Sequence, residues 1–341
     1  MRFSVRLNND LSVAEFVSLA VAAERAGFDQ VWISHDLFWR SAPVLLAAAG
    51  VATERIHLGV GIVNPYSAHP AEIAMHAATL QELTAGRFLL GLGAGAEEFL
   101  AWAGVARPSP LARTEDAVRA VRALLERRRP AEEPGPGGPT WQPEAYLRWP
   151  GAPVPLYLGV MGPKMTALAG RIADGVLALS YPPERATRSA QVVREAARGA
   201  GRDPGSLDVP ACFWVSIDDD LERARSVLAE KLAYYGPSIS APLLAEAGLR
   251  PEDFVPAART LERDGAAAAA RLITDDMLAL GIAGDADAVI ARCQGLIAAG
   301  ATHLSFGPPL GPDPLAAVAL LGDAVLPRLR PGGKASAEPA P

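Results

Sequence analysis

Cysteine is nearly absent: the 341 residues hold only Cys212 and Cys293, far apart and without a CxxC spacing. That excludes a disulfide scaffold and a cysteine zinc site. No apolar run reaches the roughly 18 residues of a membrane-spanning helix. Aromatic residues make up 6% and none interleave with a basic run; the net charge is −6 and the pI about 5.5. Neither nucleic acid nor membrane is therefore an expected partner. The opening MRFSVRLNND turns polar too early for the apolar core of a secretory leader, so a soluble, cytoplasmic protein is expected. A P-loop, a GxSxG elbow and an HExxH helix are also missing, which sets aside phosphoryl transfer, serine hydrolysis and zinc hydrolysis. No metal ligands are proposed.

What is present is apolar and periodic. Half of the residues are apolar, enough for one large core or two smaller ones. The most informative stretch is residues 56–95, IHLGVGIVNPYSAHPAEIAMHAATLQELTAGRFLLGLGAG. It holds a short apolar run, a turn at Asn64-Pro65, a helical pattern on Ile73, Ala77 and Leu80, and a second apolar run ending in glycines. This is strand, crossover helix, strand. Parallel β/α architectures bind ligands beyond the carboxyl ends of their strands, which makes residues 61–64 and 91–95 the candidate site.

The same rhythm runs through the chain. Strands are expected at 3–7, 30–34, 56–63, 88–93, 155–160, 175–180, 207–217 and 302–307, each followed by helical material. Parallel pairing needs such crossovers. Eight strand–helix repeats give an eight-stranded β/α (TIM) barrel, spanning residues 1–330 as one domain. The alternative is a doubly wound sheet, which usually carries a glycine fingerprint after its first strand; Asn8-Asn9-Asp10 has none. Residues 130–139, PAEEPGPGGP, read as a surface excursion, with a short hairpin through 141–149. A helical insertion before the last strand is expected over about 236–275, and a disordered tail over 331–341.

Several residues at the expected strand ends could carry chemistry. His35 and Asp36 follow the second strand, where a histidine can exchange a proton near neutral pH, or simply be hydrogen-bonded in a loop. The glycines of GLGAG, ending at Ala94 and Gly95, form either a tight turn or a backbone that a ring system can approach closely. Gly159-Val160-Met161-Gly162-Pro163-Lys164 ends a strand and opens a helix, a place suited to phosphate. Glu97 and Glu98 are set to begin a helix. Trp39 and Phe38 are either pocket wall or core. His57, His69, His76 and His303 are poorer candidates: strand outer face, helix start, packing residue and the wrong barrel end, respectively.

Three blocks in this order are similar to one family: LGVGIVNPYSAHPAEIAMHAATLQELTAGRFLLGLGAG, PLYLGVMGPKMTALAGRIADGVLA and SFGPPLGPDPLAAVALLGD. The chain resembles the bacterial luciferase-like superfamily, and within it the methylenetetrahydromethanopterin reductases and their relatives, which use the deazaflavin coenzyme F-420. The resemblance implies a luciferase-like TIM barrel and an oxidoreductase. It implies a non-proline cis peptide at Gly61-Ile62 behind the deazaflavin ring. Asp36, Asn64, Ala94 and Gly95 would lie against the ring system, and Gly159, Met161, Gly162, Lys164 and Met165 would hold the phosphate. His35, Asp36 and Glu97 would be the catalytic set.

Three positions depart from the reductases: Arg6 stands where they have an acid, His35-Asp36 reverses their Asp-His, and Ala96 replaces an acid that reappears one place later as Glu97. The implied activity is hydride transfer between the deazaflavin C5 and an electrophilic C=N, C=C or C=O carbon of a small molecule. An FMN-dependent monooxygenase is the alternative, and a non-catalytic flavin-binding or deazaflavin-binding protein the third reading. Dimers are common in the family, and the apolar helix over 42–52 suits a homodimer.

Overall fold

Short, two-face-buried strands separated by long crossovers can only pair in parallel, and the structure does so throughout. The structure is a computed structural model; it describes residues 1–132, 135, 140–149 and 152–330. The strands are β1 (Arg2–Leu7), β2 (Gln30–Ile33), β3 (His57–Val63), β4 (Phe88–Leu92), β5 (Leu156–Val160), β6 (Gly175–Leu179), β7 (Ala211–Ile217), β8 (Ile282–Gly284) and β9 (His303–Leu310). Pairing of β6 with β7 and of β9 with both β7 and β1 closes a ring from which only β8 is left out. The expected eight-stranded β/α barrel is what forms. The short β8, which was not expected, lies along the carboxyl end of β7, Val215 opposite Ile282 and Ile217 opposite Gly284. Its three residues are too few to show a period.

The barrel interior is filled by aromatic side chains over glycine. Trp32 of β2 and Tyr157 of β5 meet edge to face, with ring centroids 4.8 Å apart, and Leu89 completes the cluster. A Cβ on Gly59 would lie 2.3 Å from the Trp32 ring, and one on Gly175 would lie 2.1 Å from the Tyr157 ring. The two large rings fit because their neighbours on β3 and β6 have no side chain.

The helices follow the expected order, with a few corrections. Ser12 and Glu15 form a capping box on the helix Val13–Arg25, and His69 caps Pro70–Leu83 by accepting the Ala71 N–H. The helix Pro110–Leu125 opens on a proline, which suits a first turn. The hairpin expected over 141–149 does not form. Those residues run through turns without strand pairing, held by side chains instead: Trp141 stacks near His69 and Leu147 is buried. The insertion is helical as expected: Ala241–Ala245 is followed by Val255–Asp264 and Ala266–Ala270, and the latter two pack on the helix Leu221–Tyr235. Its Leu244 and Phe254 share a second core with Trp214, Leu228 and Leu232, beside the mouth of the barrel. The expected tail, 331–341, lies outside the described residues. Among the described residues no helix is long and apolar enough to cross a membrane.

At the amino-terminal end of the barrel, polar groups converge on Asp208. It accepts hydrogen bonds from the Tyr157 hydroxyl at 2.7 Å and Gln30 at 3.3 Å, and it lies 2.9 Å from His303 Nδ1 and 3.2 Å from Arg2. Gln30 also accepts the Trp32 indole N–H, so this network supports the aromatic plug from below. Burial alone would raise the Asp208 carboxyl, but His303, then Tyr157 and Arg2, more than offset it and hold it well below the usual carboxylate range. A carboxyl depressed on folding stabilises the native state above its unfolded value, and that contribution is lost as pH falls through the carboxylate range and below. Asp208→Asn is expected to cost about 3 kcal/mol in chemical denaturation at pH 7. The gap to wild type should shrink as pH is lowered below about 4. Equal stability at pH 7 would remove Asp208 from this role.

Candidate active site

A cavity of about 560 Å³ opens at the carboxyl ends of the strands, within the range of small-molecule sites. His35, Asp36, Gly61, Ile62, Asn64, Ala94, Gly95, Gly159, Met161, Gly162 and Met165 all line it. Two expected residues do not. Glu97 begins the helix Glu97–Trp102 with a largely exposed side chain paired to Arg107 at 2.6 Å. Lys164 is exposed on the first turn of the helix Pro163–Ile172.

The glycines at the strand ends have a specific function. The Gly61-Ile62 peptide is cis, and the register between β3 and β4 shifts at this point. The Ile62 side chain then lies where Cβ atoms on the next strands would be. A Cβ on Gly159 would come within 2.8 Å of Ile62 Cγ2, one on Gly93 within 3.2 Å of its side chain, and one on Gly91 within 2.3 Å of the Val60 carbonyl oxygen. Gly95 has φ +71°, and a Cβ there would meet Asn64. The GLGAG run thus makes room for Ile62 and Asn64. Asn64 is buried, and its Oδ1 accepts the backbone N–H groups of Tyr66 and Ser67, so its amide nitrogen is the group left to offer a ligand.

Asn9 fixes the loop after β2. Its Oδ1 accepts from Ser34 Oγ at 2.8 Å and from the Asp36 N–H at 3.3 Å, while its Nδ2 donates to the carbonyls of Asp36 and Arg40. Asn9 is buried and fully used. Within that loop His35 Nδ1 accepts the N–H of Ala42, the first residue of the helix Ala42–Ala52. The proton of the neutral ring must then reside on Nε2. Burial lowers the His35 pKa, and the field of His76 adds to this. His76, expected to pack, is instead exposed on its helix. Burial raises the Asp36 carboxyl, with Ser34 and Lys231 opposing. The loop thus presents a neutral imidazole beside a carboxyl that takes up a proton more readily than usual.

On the far side, the helix Pro163–Ile172 starts at Gly162 with no side-chain cap and no acidic residue in its first turn. Its free N–H groups and dipole face the cavity, and the space beside Gly162 is open. An apolar slot against the Gly61-Ile62 bulge, leading to an uncapped helix start, fits a planar coenzyme that ends in phosphate. Phe99 forms part of the wall; its neighbour Trp102, together with Phe38, is exposed at the rim rather than in the core, as is Trp39.

Further cavity residues escape a reading of the sequence. Lys231 and Tyr235 reach in from the helix Leu221–Tyr235, joined by Trp214, Cys212 and Arg6. The Lys231 ammonium lies 5.0 Å from the Trp214 ring centroid and 4.7 Å from that of Tyr235. Burial, with the charge of Arg6 adding to it, pushes Lys231 down to about 8. The only signal for Lys231 was a lysine among apolar helix positions, which is also how a solvent-facing residue looks. Of the poorer histidines, His57 is exposed and His303 is buried at the opposite end of the barrel. Among the described residues no cluster of His, Cys, Asp or Glu could hold a metal ion.

The profile of the luciferase-like monooxygenase family matches residues 1–303. A 5,10-methylenetetrahydromethanopterin reductase of Methanolobus tindarius is 30% identical, covering 96% of this chain and all of the relative. An F420-dependent glucose-6-phosphate dehydrogenase of Nakamurella multipartita is 33% identical over 93% of each chain. Among solved structures, the coenzyme F420 dependent tetrahydromethanopterin reductase of Methanopyrus kandleri superposes with a TM-score of 0.88 at 28% identity, covering 96% of this chain and 99% of that one.

The His35 assignment can be read by nitrogen-resolved NMR of the imidazoles. The expected result is an Nε2–H tautomer with a midpoint below 6.5, so that the ring is neutral at pH 7 and charges only as pH falls. A midpoint above 6.5 would contradict the effect of burial, and an Nδ1–H tautomer would contradict the hydrogen bond to Ala42.

Proposed function

The chain belongs to the luciferase-like monooxygenase family, and within it we propose a coenzyme F-420-dependent oxidoreductase acting on a small molecule. The observation that carries this reading is the cavity itself, an apolar slot behind which Gly61-Ile62 stands and at whose end an uncapped helix begins. Bound there, the coenzyme would supply a two-electron hydride at C5 to a C=N, C=C or C=O carbon, or take one back. The chain supplies position and protons. Ile62 backs the ring, while Asn64, Ala94 and Gly95 set its edge. Gly159, Met161, Gly162 and Met165, with Lys164 as an exposed charge beside them, meet the phosphate.

His35 is assigned the Nε2–H that steadies the substrate's oxygen or nitrogen, and Asp36 the proton that is exchanged. This narrows the part His35 was expected to play, because its Nδ1 is already occupied by Ala42. Glu97 is left with steering through Arg107 rather than contact.

The alternative is FMN with oxygen chemistry, which the family's description keeps in view, and a non-catalytic carrier is the third possibility. A homodimer belongs to the same proposal: Val44 and Val51 of the helix Ala42–Ala52 are exposed, as are Met75 and Leu83 of Pro70–Leu83.

Titration of the purified protein with each coenzyme separates these readings. Saturable F-420 binding at least tenfold tighter than FMN is expected, and the reverse order would overturn the assignment. His35→Ala should lower turnover at least tenfold while coenzyme affinity changes less than threefold. Wild-type turnover in that variant would exclude His35 from the reaction.

A further inference from the structure

We propose that Arg6 and Lys231 together form a receptor for an anionic group, carboxylate or phosphate, on the substrate. This rests on the oxidoreductase reading above, because it assigns the part of the cavity away from the coenzyme's phosphate. That phosphate end follows β5; Arg6 lies near the end of β1, and Trp214, under Lys231, belongs to β7, both on the side of the ring joined by β9.

The Arg6 guanidinium occupies a prepared place. Its Nη2 donates to the Phe213 carbonyl at 2.8 Å, and a Cβ on Gly307 would come within 2.2 Å of the same nitrogen. A glycine on β9 thus leaves the volume that the guanidinium fills. Its Nε is buried with no hydrogen-bond partner among the described residues. Lys231 reaches the cavity from the helix outside β7 and lies over the Trp214 and Tyr235 rings. No carboxylate of the described residues lies within ion-pair distance of either cation. Asp36 and Asp10 attract Lys231 only from longer range. The third cation lining the cavity, Arg107, is already neutralised by Glu97.

Two cations held within one another's field are costly unless a partner arrives, and buried charge is tolerated when paired. Burial is the larger cause of the depressed Lys231 pKa, and the Arg6 charge lowers it further. A guanidinium fork and an ammonium approaching from two elements suit the several oxygens of a carboxylate or phosphate.

The test uses the full chain saturated with coenzyme F-420 and titrated calorimetrically with acetate and with inorganic phosphate, at constant ionic strength and pH 7. At least one anion should bind saturably, the stronger of the two identifying carboxylate or phosphate as the group recognised. Lys231→Gln and Arg6→Gln should each weaken that binding at least tenfold, and Lys231→Arg should retain it within threefold. No saturable binding of either anion, or binding unchanged in both glutamine variants, overturns the proposal. If Arg6→Gln does not fold, the Lys231 pair decides alone. Should F-420 itself fail to bind, the titration is repeated on Lys164→Gln, whose helix start lacks the competing lysine. Anion binding that still depends on Lys231 then rejects the coenzyme assignment while upholding the receptor.

Discussion

The side chain of Ile62 needs space that three other strand-end residues must surrender. Gly91, Gly93 and Gly159 all border that space, and each lacks the Cβ that would collide with Ile62 or with the backbone leading to it. Packed interiors do not absorb such overlaps cheaply, since even one added methylene is felt. The geometry of the cavity floor therefore depends on one isoleucine and the glycines around it. Asn64, two residues on, is held by the same arrangement through its contact with Gly95. The Trp32 and Tyr157 plug below, itself seated over Gly59 and Gly175, keeps the floor from sinking into the barrel.

Around that floor the charges are unevenly placed. An uncapped helix start on β5 offers backbone N–H groups, whereas the β1 and β7 side offers a guanidinium and an ammonium. Between them the loop after β2 presents His35 and Asp36, oriented by Asn9 and by the N-terminus of the helix Ala42–Ala52. His35, the Asp36 backbone and Arg6 are each held by hydrogen bonds to groups outside the cavity, and Lys231 rests on the rings of its wall, so much of the geometry exists before any ligand arrives, which is what orientation-dependent catalysis needs.

Much of this was legible in the chain. The strand ends of residues 56–95 and the glycine-rich turn at 159–162 were visible because apolar runs stopping at glycine are local patterns. What the glycines accommodate was not visible, because the clash they avoid is with Ile62, a residue distant in sequence from Gly159. Asn9 looked like an ordinary turn residue, and its four hydrogen bonds span the loop after a different strand. Lys231 lay in a helix whose inward face is set by tertiary packing. The strand β8 was too short to declare itself, and the absent hairpin at 141–149 shows that aromatic residues near a proline-rich stretch can pack through side chains without forming a ladder.

On the proposed reading the Ile62 seat decides coenzyme binding, and one substitution tests this directly. In Gly159→Ala the new methyl group would lie 2.8 Å from Ile62 Cγ2, so the floor must shift. Coenzyme F-420 affinity, measured on protein whose circular dichroism matches wild type, is predicted to fall at least tenfold and to recover in part when Ile62→Ala is added. Unchanged affinity in Gly159→Ala would contradict the account.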